Sequence, residues 1–326
     1  GLLFLRSSDL DTRTSTVRVR IEQLRDCLRQ RGVHALLVPS ADPHLSEYLP
    51  QRWQTRVWLS GFTGSMGTLA VTLDQAVLFA DSRYWEQAER ELAGSGIELV
   101  KIATGAATVY VDWLAQNLER GQTLSVDGEV LSLASAQLLN QALQRKGIAL
   151  KTDWDAAAEI WDDRPALPAQ PIYEHQPPHA SLSRQDKLAQ VREAMSRHGA
   201  THHFISTVDD IAWLTNLRGS DVTYNPVFLA HLLMDAHSAT LYVGAGKIDP
   251  ALRERLKGDG IQLGDYTQAG AALEVLGSHD RLLVDPKRVT WGLRERVADP
   301  VRVIEAINPS TLLRAANLRP TLPTSV

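Results

Sequence analysis

The chain has 326 residues, 44% of them hydrophobic, enough apolar material for a large core and more in keeping with two domains than one. A formal net charge of −4 argues against a general nucleic-acid binder and against a surface drawn to anionic lipid. No run approaches the roughly 18 apolar residues of a membrane span. The single cysteine, Cys27, has no internal disulfide partner, so a reducing, cytoplasmic setting is expected.

In chain order, Leu2-Leu3-Phe4-Leu5 is too short for a signal core and follows no basic region, so residues 1–15 read as a poorly ordered leader. A helix follows, with Arg18, Arg20, Arg25, Arg29 and Arg31 spaced as a solvated face and Cys27 as a packing residue; Gly32 suits its left-handed cap. After the strand Ala35–Pro39, the stretch Ser40–Tyr48 groups Asp42, His44, Glu47 and Tyr48 where α/β proteins often bind ligands. A short helix capped by Asp42, with Pro43 in its first position and Glu47 in solvent, explains the same residues. Trp53 and Trp58, with Arg52 and Arg56, read as an exposed aromatic-basic loop or, for Trp58, as core, because Leu59 and Phe62 continue the apolar pattern. The segment 61–67 has the glycines of a phosphate loop but no lysine, and a strand follows it. It therefore reads as a turn entering a hairpin whose arms, 67–73 and 76–80, flank Asp74-Gln75. Asp81 or Ser82 would cap a helix from Tyr84 to Leu92. A strand over 97–102, a helix over 109–118 and a strand over 123–126 complete the pattern. Asp153 and Asp155 offer two carboxylates, but nothing nearby completes a hard-metal shell.

The second half repeats the first. Prolines at 165, 168, 171, 177 and 178 mark a connector over 161–179. Beyond it, Val191–Gly199 matches Leu24–Gly32, Gly219-Ser220 matches Gly64-Ser65, Ala239–Val243 matches Ala76–Ala80, and Val284-Asp285 matches Val126-Asp127. Two related α/β domains are expected, 16–160 and 180–315, each a mixed sheet with flanking helices, before a loose tail at 316–326.

Familiar catalytic patterns are missing. The ten histidines form no His-Glu-x-x-His, no Cys/His spacing suits zinc, and no Gly-x-Ser-x-Gly elbow occurs. His202 and His203 are adjacent on a strand and point to opposite faces. The richest stretch is Leu217–Phe228, which sets Arg218, Asp221, Tyr224 and Asn225 on a short connection. It links a helix over 208–217, capped by Asp209 or Asp210, to a buried strand over 227–234. That arrangement is either a salt-bridged turn closing the helix or the lip of a site.

Taken together, Pro39–Tyr48, Leu59–Thr68, Asp81-Ser82-Arg83-Tyr84, Glu159–Pro165 and Leu217–Phe228 resemble the N-terminal half of the Xaa-Pro aminopeptidase (aminopeptidase P) family in its long, three-domain form. The resemblance implies two tandem creatinase-N-like domains, ribonuclease-H-like in fold and not in activity. It implies a full enzyme that releases the first residue of peptides with proline second. That chemistry would use two divalent metals, commonly manganese, and a bridging water. The family's metal ligands lie in a C-terminal pita-bread domain that would begin after Ile307–Leu313, and its Asp, Asp, His, Glu, Glu series does not appear in this sequence. The chain as written, a truncated form in this reading, is thus expected to hold no metal or cofactor and no catalytic residue. Its partners would be Xaa-Pro peptides, the catalytic domain and a second copy in a homodimer. Arg218, Asp221, Tyr224, Asn225, His44 and Glu47 become candidates for a substrate rim or an interdomain contact. A stand-alone, non-catalytic peptide- or protein-binding module is the alternative.

Overall fold

The computed structural model describes residues 7–106, 108–175, 180 and 182–318. They divide into two compact units, the described residues within 1–42 and 51–166, and those within 43–50 and 167–326.

The first unit begins with α1 (Ser7–Arg31), where Val17, Ile21, Leu24 and Leu28 recur every three or four residues and are buried. It continues with β1 (Ala35–Val38), α2 (Thr55–Ser60), β2 (Thr68–Thr72), β3 (Ala76–Asp81), α3 (Trp85–Leu92) and β4 (Glu98–Ile102). Then come α4 (Val109–Asn117), β5 (Thr123–Val126), α5 (Leu133–Lys146), β6 (Ala149–Lys151) and α6 (Ala156–Ile160). The sheet order is β4-β3-β2-β1-β5-β6. β1, β2 and β3 run antiparallel in succession, whereas β4, β5 and β6 join in parallel. The central strands are buried almost throughout, as expected where helices cover both faces, and the edge strands β4 and β6 alternate with solvent.

Three expectations change here. Residues 7–15 belong to α1 rather than to a loose leader; residues 1–6 lie outside the described residues. Asp81 does not cap α3, whose N-cap position is Tyr84. Its carboxylate instead accepts from the Arg83 amide and guanidinium, closing the turn one step earlier. The arginines of α1 are only partly a solvated face, because Arg18, Arg20 and Arg25 donate to the carbonyls of Gly94, Trp58 and Thr72. Trp58 packs against the core, stacked on Trp161 at 5.2 Å with the Arg20 guanidinium 4.1 Å from its ring.

The second unit holds β7 (Tyr173–Glu174), α7 (Arg184–Arg197), β8 (His202–Ile205), α8 (Val208–Thr215), β9 (Leu217–Arg218), β10 (Ala230–Asp235) and β11 (Ala239–Val243). After these come α9 (Pro250–Gly258), β12 (Ile261–Asp265), α10 (Ala269–Glu274), β13 (Arg281–Val284), α11 (Trp291–Glu295), β14 (Arg302–Glu305) and α12 (Pro309–Asn317). Its sheet order, β12-β11-β10-β8-β13-β14, reproduces that of the first unit strand for strand, with the same senses. Part of the expected connector is structured: Tyr173–Glu174 pairs antiparallel with Leu217–Arg218. The expected tail is helical as far as Asn317, and residues 319–326 lie outside the described residues.

Two desolvated titratable groups, one in each unit, respond oppositely to acid. His203 on β8 is fully buried; its Nδ1–H donates to the Leu283 carbonyl at 2.8 Å, and burial pulls its pKa to about 4. Unfolded histidine takes a proton below about 6.5 and the folded one only near 4, so the second unit loses up to about 3 kcal/mol as pH falls through that window. Asp127, just past β5, is pushed up to about 7, mainly by burial and then by Asp155. Its contribution is present below the ordinary carboxyl range and is lost as pH rises from about 4 to 7. Hydrogen exchange of core amides at pH 7.5 and 4.5 should therefore show protection gained in the first unit and lost in the second. His203→Asn should flatten the loss and Asp127→Asn the gain; shifts of equal sign in both units would refute the assignment.

Candidate functional site

The stretch 217–229 is built around the end of α8. The last carbonyls of that helix have at most the Asn216 amide as backbone donor, and three cations add to it. Arg184 donates to Thr215 O at 2.7 Å, Lys187 to Trp213 O at 2.8 Å and Arg218 to Ala212 O at 2.8 Å. Asn216 closes the helix in the left-handed region at φ 52°, and its amide oxygen accepts from Lys187 at 2.6 Å. Burial, then Arg218, lowers the Lys187 pKa to about 8. Arg218 is thus a capping group of α8 and a member of β9, half-buried rather than displayed.

Asp221 is further inside. Its side chain is wholly buried, accepts the Leu229 amide at 2.8 Å, and forms an ion pair with Lys247, which is buried as well. The backbone beside it is equally committed: Gly219 N–H donates to Pro226 O at 3.3 Å and Asp221 N–H to Val227 O at 3.1 Å. These bonds explain why the expected strand over 227–234 starts only at Ala230; backbone groups of Pro226, Val227 and Leu229 are engaged by the loop. Gly219 permits the close approach, since a Cβ there would lie 2.8 Å from Phe228 Cβ. Its counterpart Gly64 is under the same constraint from the Phe62 and Tyr84 rings.

Beyond Asp221 the chain makes a small hairpin, with Val222 bridged to Asn225. Asn225 donates from Nδ2 to Asp209 Oδ1 at 3.3 Å, tying the tip to the first turn of α8. Tyr224 stands free of this framework, fully exposed. Neither Asp209 nor Asp210 caps α8, whose N-cap position is Thr207, with no side-chain cap bond. Asp210 is buried and accepts from Ser310 at 3.0 Å and Thr311 at 2.6 Å, with Arg314 at 3.1 Å, so it anchors α12.

His44 and Glu47 lie apart, on residues 43–50. No helix forms there: Pro43 and His44 make a turn, Leu45 has φ 54°, and Glu47 is exposed. His44 is buried among the rings of its unit. Its Nδ1–H donates to Ser206 O at 2.8 Å, Nε2 pairs with Tyr266 Oη at 2.7 Å, and its ring stacks on His231 at 4.5 Å. His231 stacks in turn on Phe204 and Tyr266 and bonds Ser206 Oγ through Nδ1 at 2.8 Å. Burial and the neighbouring His44 hold the His231 pKa well below the ordinary histidine range. This column sits at the carboxyl end of β8, where a ligand would bind in many α/β sheets, and the chain's own segment fills it.

The six candidates therefore do not form one constellation. Arg218 and Asp221 hold structure, Asn225 positions a tip, His44 packs inside, and Tyr224 and Glu47 alone face solvent. Reading the sequence missed Lys187, Lys247, His231 and Tyr266. Each is recruited from another element, and no local spacing announces it. Among the described residues no group of three or more His, Cys, Asp or Glu could hold a metal ion, and no helix is long and apolar enough to cross a membrane. A groove of about 630 Å³ in the first unit, lined by Arg20, Trp58, Ile160, Asp162 and Asp163 among others, contains none of the candidates.

Removing one partner of a buried ion pair leaves an uncompensated charge, at a cost of about 3–5 kcal/mol. Asp221→Ala or Lys247→Ala should lower the second unit's stability by that much, whereas Arg218→Ala, which loses a helix cap, should cost about 1 kcal/mol. Urea denaturation of the three variants checks the ranking. Equal effects would mean that Asp221 is not the pin of this loop.

The sequence matches the Creatinase/Prolidase N-terminal domain family twice, over residues 20–158 and 163–317. It is 32% identical to a probable Xaa-Pro aminopeptidase P of Sordaria macrospora, covering 89% of this chain and 49% of that one. It is 31% identical to Xaa-Pro aminopeptidase 1 of Dictyostelium discoideum, covering 91% and 48% respectively. The chain spans about half the length of the curated relatives it matches. In fold it resembles the crystal structure of X-prolyl aminopeptidase from Caenorhabditis elegans, described as a cytosolic enzyme with a di-nuclear active site. There the TM-score is 0.79 at 24% identity, over 86% of this chain and 47% of the other. With its duplicated sheets and both matches in tandem, the chain belongs to the creatinase/prolidase N-terminal domain family, in the two-domain form of the aminopeptidase P N-terminal region.

Proposed function

We propose that these residues are the non-catalytic N-terminal part of a cytoplasmic Xaa-Pro aminopeptidase. In the whole enzyme they would help admit peptides whose second residue is proline. The observation that carries this reading is the match to Xaa-Pro aminopeptidases over about nine-tenths of the chain, which takes in both domains. The loop 217–229 suits a supporting role: it is pinned from within by a buried ion pair and presents one aromatic ring outward. Two divalent metals, manganese in this reading, and the activated water would belong to a further domain, because the described residues offer no ligand set for them. A homodimer of the whole enzyme is part of the proposal.

The test compares two lengths of the same protein. The 326-residue chain, free of host peptidase and supplied with manganese, should release no first residue from an Xaa-Pro peptide. A form extended through the reading frame to the length of the relatives should release it. Cleavage by the short chain would overturn the division of labour. Absence of cleavage by the long one would overturn the enzyme, leaving a stand-alone binding module.

A further inference from the structure

A cation in the groove of the first unit is fixed in place without a carboxylate partner. Arg20 lies with its guanidinium 4.1 Å from the centre of the Trp58 ring and donates from Nη1 to Trp58 O at 2.8 Å. Trp58 stacks on Trp161 at 5.2 Å, and Arg164, paired with Asp155 at 2.6 Å, lies 5.9 Å from the Trp161 ring. The guanidinium is thereby held flat against a column of rings and cations. It carries five N–H donors, of which the Trp58 carbonyl takes one. Arg13, Arg25, Arg29 and Arg31 of the same helix each pair with a carboxylate, whereas among the described residues Arg20 forms no ion pair. Burial lowers its pKa, and Asp163 opposes that effect from a distance.

The groove around it, about 630 Å³, is of the size that small molecules occupy. One side is the face of α1 from Thr12 to Gln23, about 16 Å of helix, on which Val19 is exposed at 56%. A second lining segment brings Ile160 with Asp162 and Asp163, both acids in solvent. A half-buried guanidinium gains most from a carboxylate, which it can hold through two parallel N–H bonds. Two acids in the same groove disfavour a bare anion such as phosphate and favour one that brings its own positive charge. Val19 and Ile160 add apolar surface. We propose that this groove binds a small zwitterion, a free amino acid or a short unblocked peptide, with Arg20 holding its carboxylate and Asp162 and Asp163 its ammonium. An apolar ligand side chain rests on Val19 and Ile160. The site lies wholly in the first unit and does not depend on the enzyme reading.

The probes are free leucine, the dipeptide Ala-Leu, and Ala-Leu blocked by an amino-terminal acetyl group or by a carboxyl-terminal amide. Each is titrated into the 326-residue chain and followed by calorimetry. Ala-Leu should bind saturably; leucine binding as tightly marks an amino-acid site, and leucine failing to bind marks a peptide site. Amidation should weaken binding by roughly tenfold or more, the scale of a lost charge-assisted hydrogen bond. Acetylation should weaken it by roughly two- to fivefold, because the acids that meet the ammonium are exposed. Arg20→Gln should weaken Ala-Leu to the level of its amide and leave the amide unaffected, as expected if the two changes remove one interaction. Val19→Glu alters an exposed position and sets a carboxylate in the groove beside Arg20. It should keep the melting midpoint and weaken Ala-Leu by roughly tenfold or more. Absence of saturable binding by both leucine and Ala-Leu would overturn the inference. So would blocked peptides that bind as tightly as unblocked ones, which would make the groove an apolar cleft. An affinity unchanged by Val19→Glu would place the ligand elsewhere and overturn it too.

Discussion

A buried charge in each copy fixes the segment that leads into the central hairpin, and the two copies use opposite signs. In the first unit Arg56 is buried, its pKa lowered to about 10 by burial. It donates to the carbonyls of Phe62 at 2.7 Å and Gly64 at 2.6 Å and to Ser40 Oγ at 3.1 Å. In the second, Asp221 takes an amide and a lysine at the equivalent place. A guanidinium collects loop carbonyls, whereas a carboxylate collects a loop N–H, so the same backbone problem has two chemical answers. Both solutions are exposed to the same risk, since a buried charge deprived of its partners is among the most destabilising defects a domain can carry. Each loop is therefore tied to the body of its unit through a buried charge rather than only through its chain ends.

Function in such a chain resides in what the scaffold holds outward. The electrostatic effort around α8, with Arg184, Lys187 and Arg218 on its final carbonyls, is spent on closing a helix. A cluster of three cations would suggest an anion site if burial and acceptors were ignored. Once each donor is traced, the three are already committed, to helix carbonyls and, for Arg184, to the Glu174 and Asp259 carboxylates as well. The same tracing removes His44 from the list of ligand-facing groups and leaves only Tyr224 and Glu47 of the candidate set facing solvent.

The duplication and most of the elements were legible in the sequence because they depend on local periodicity. The stripe Val17-Ile21-Leu24-Leu28, the hairpin turn at Asp74-Gln75 and the strand Thr123–Val126 each follow from spacing or turn chemistry alone. The candidate site was legible only as a location. Asp210 offered a local explanation as a helix cap, but its acceptor capacity is used by Ser310, 100 residues away. His44 likewise meets a partner 162 residues on. Polar residues with a plausible neighbourly role and an actual distant one are where reading along the chain fails, because burial and not sequence proximity decides which bond is made.

The segment 43–50 belongs to the second unit although residues on both sides of it belong to the first. During synthesis the first unit has all of its own residues by position 166, while this segment still lacks everything it packs on. Ser206, His231 and Tyr266 have yet to emerge. Pro43 and His44, buried in the finished protein, therefore reach their final packing only after some hundred further residues have been translated. The first unit has its own core residues early, but the second is completed with a segment made near the beginning of the chain.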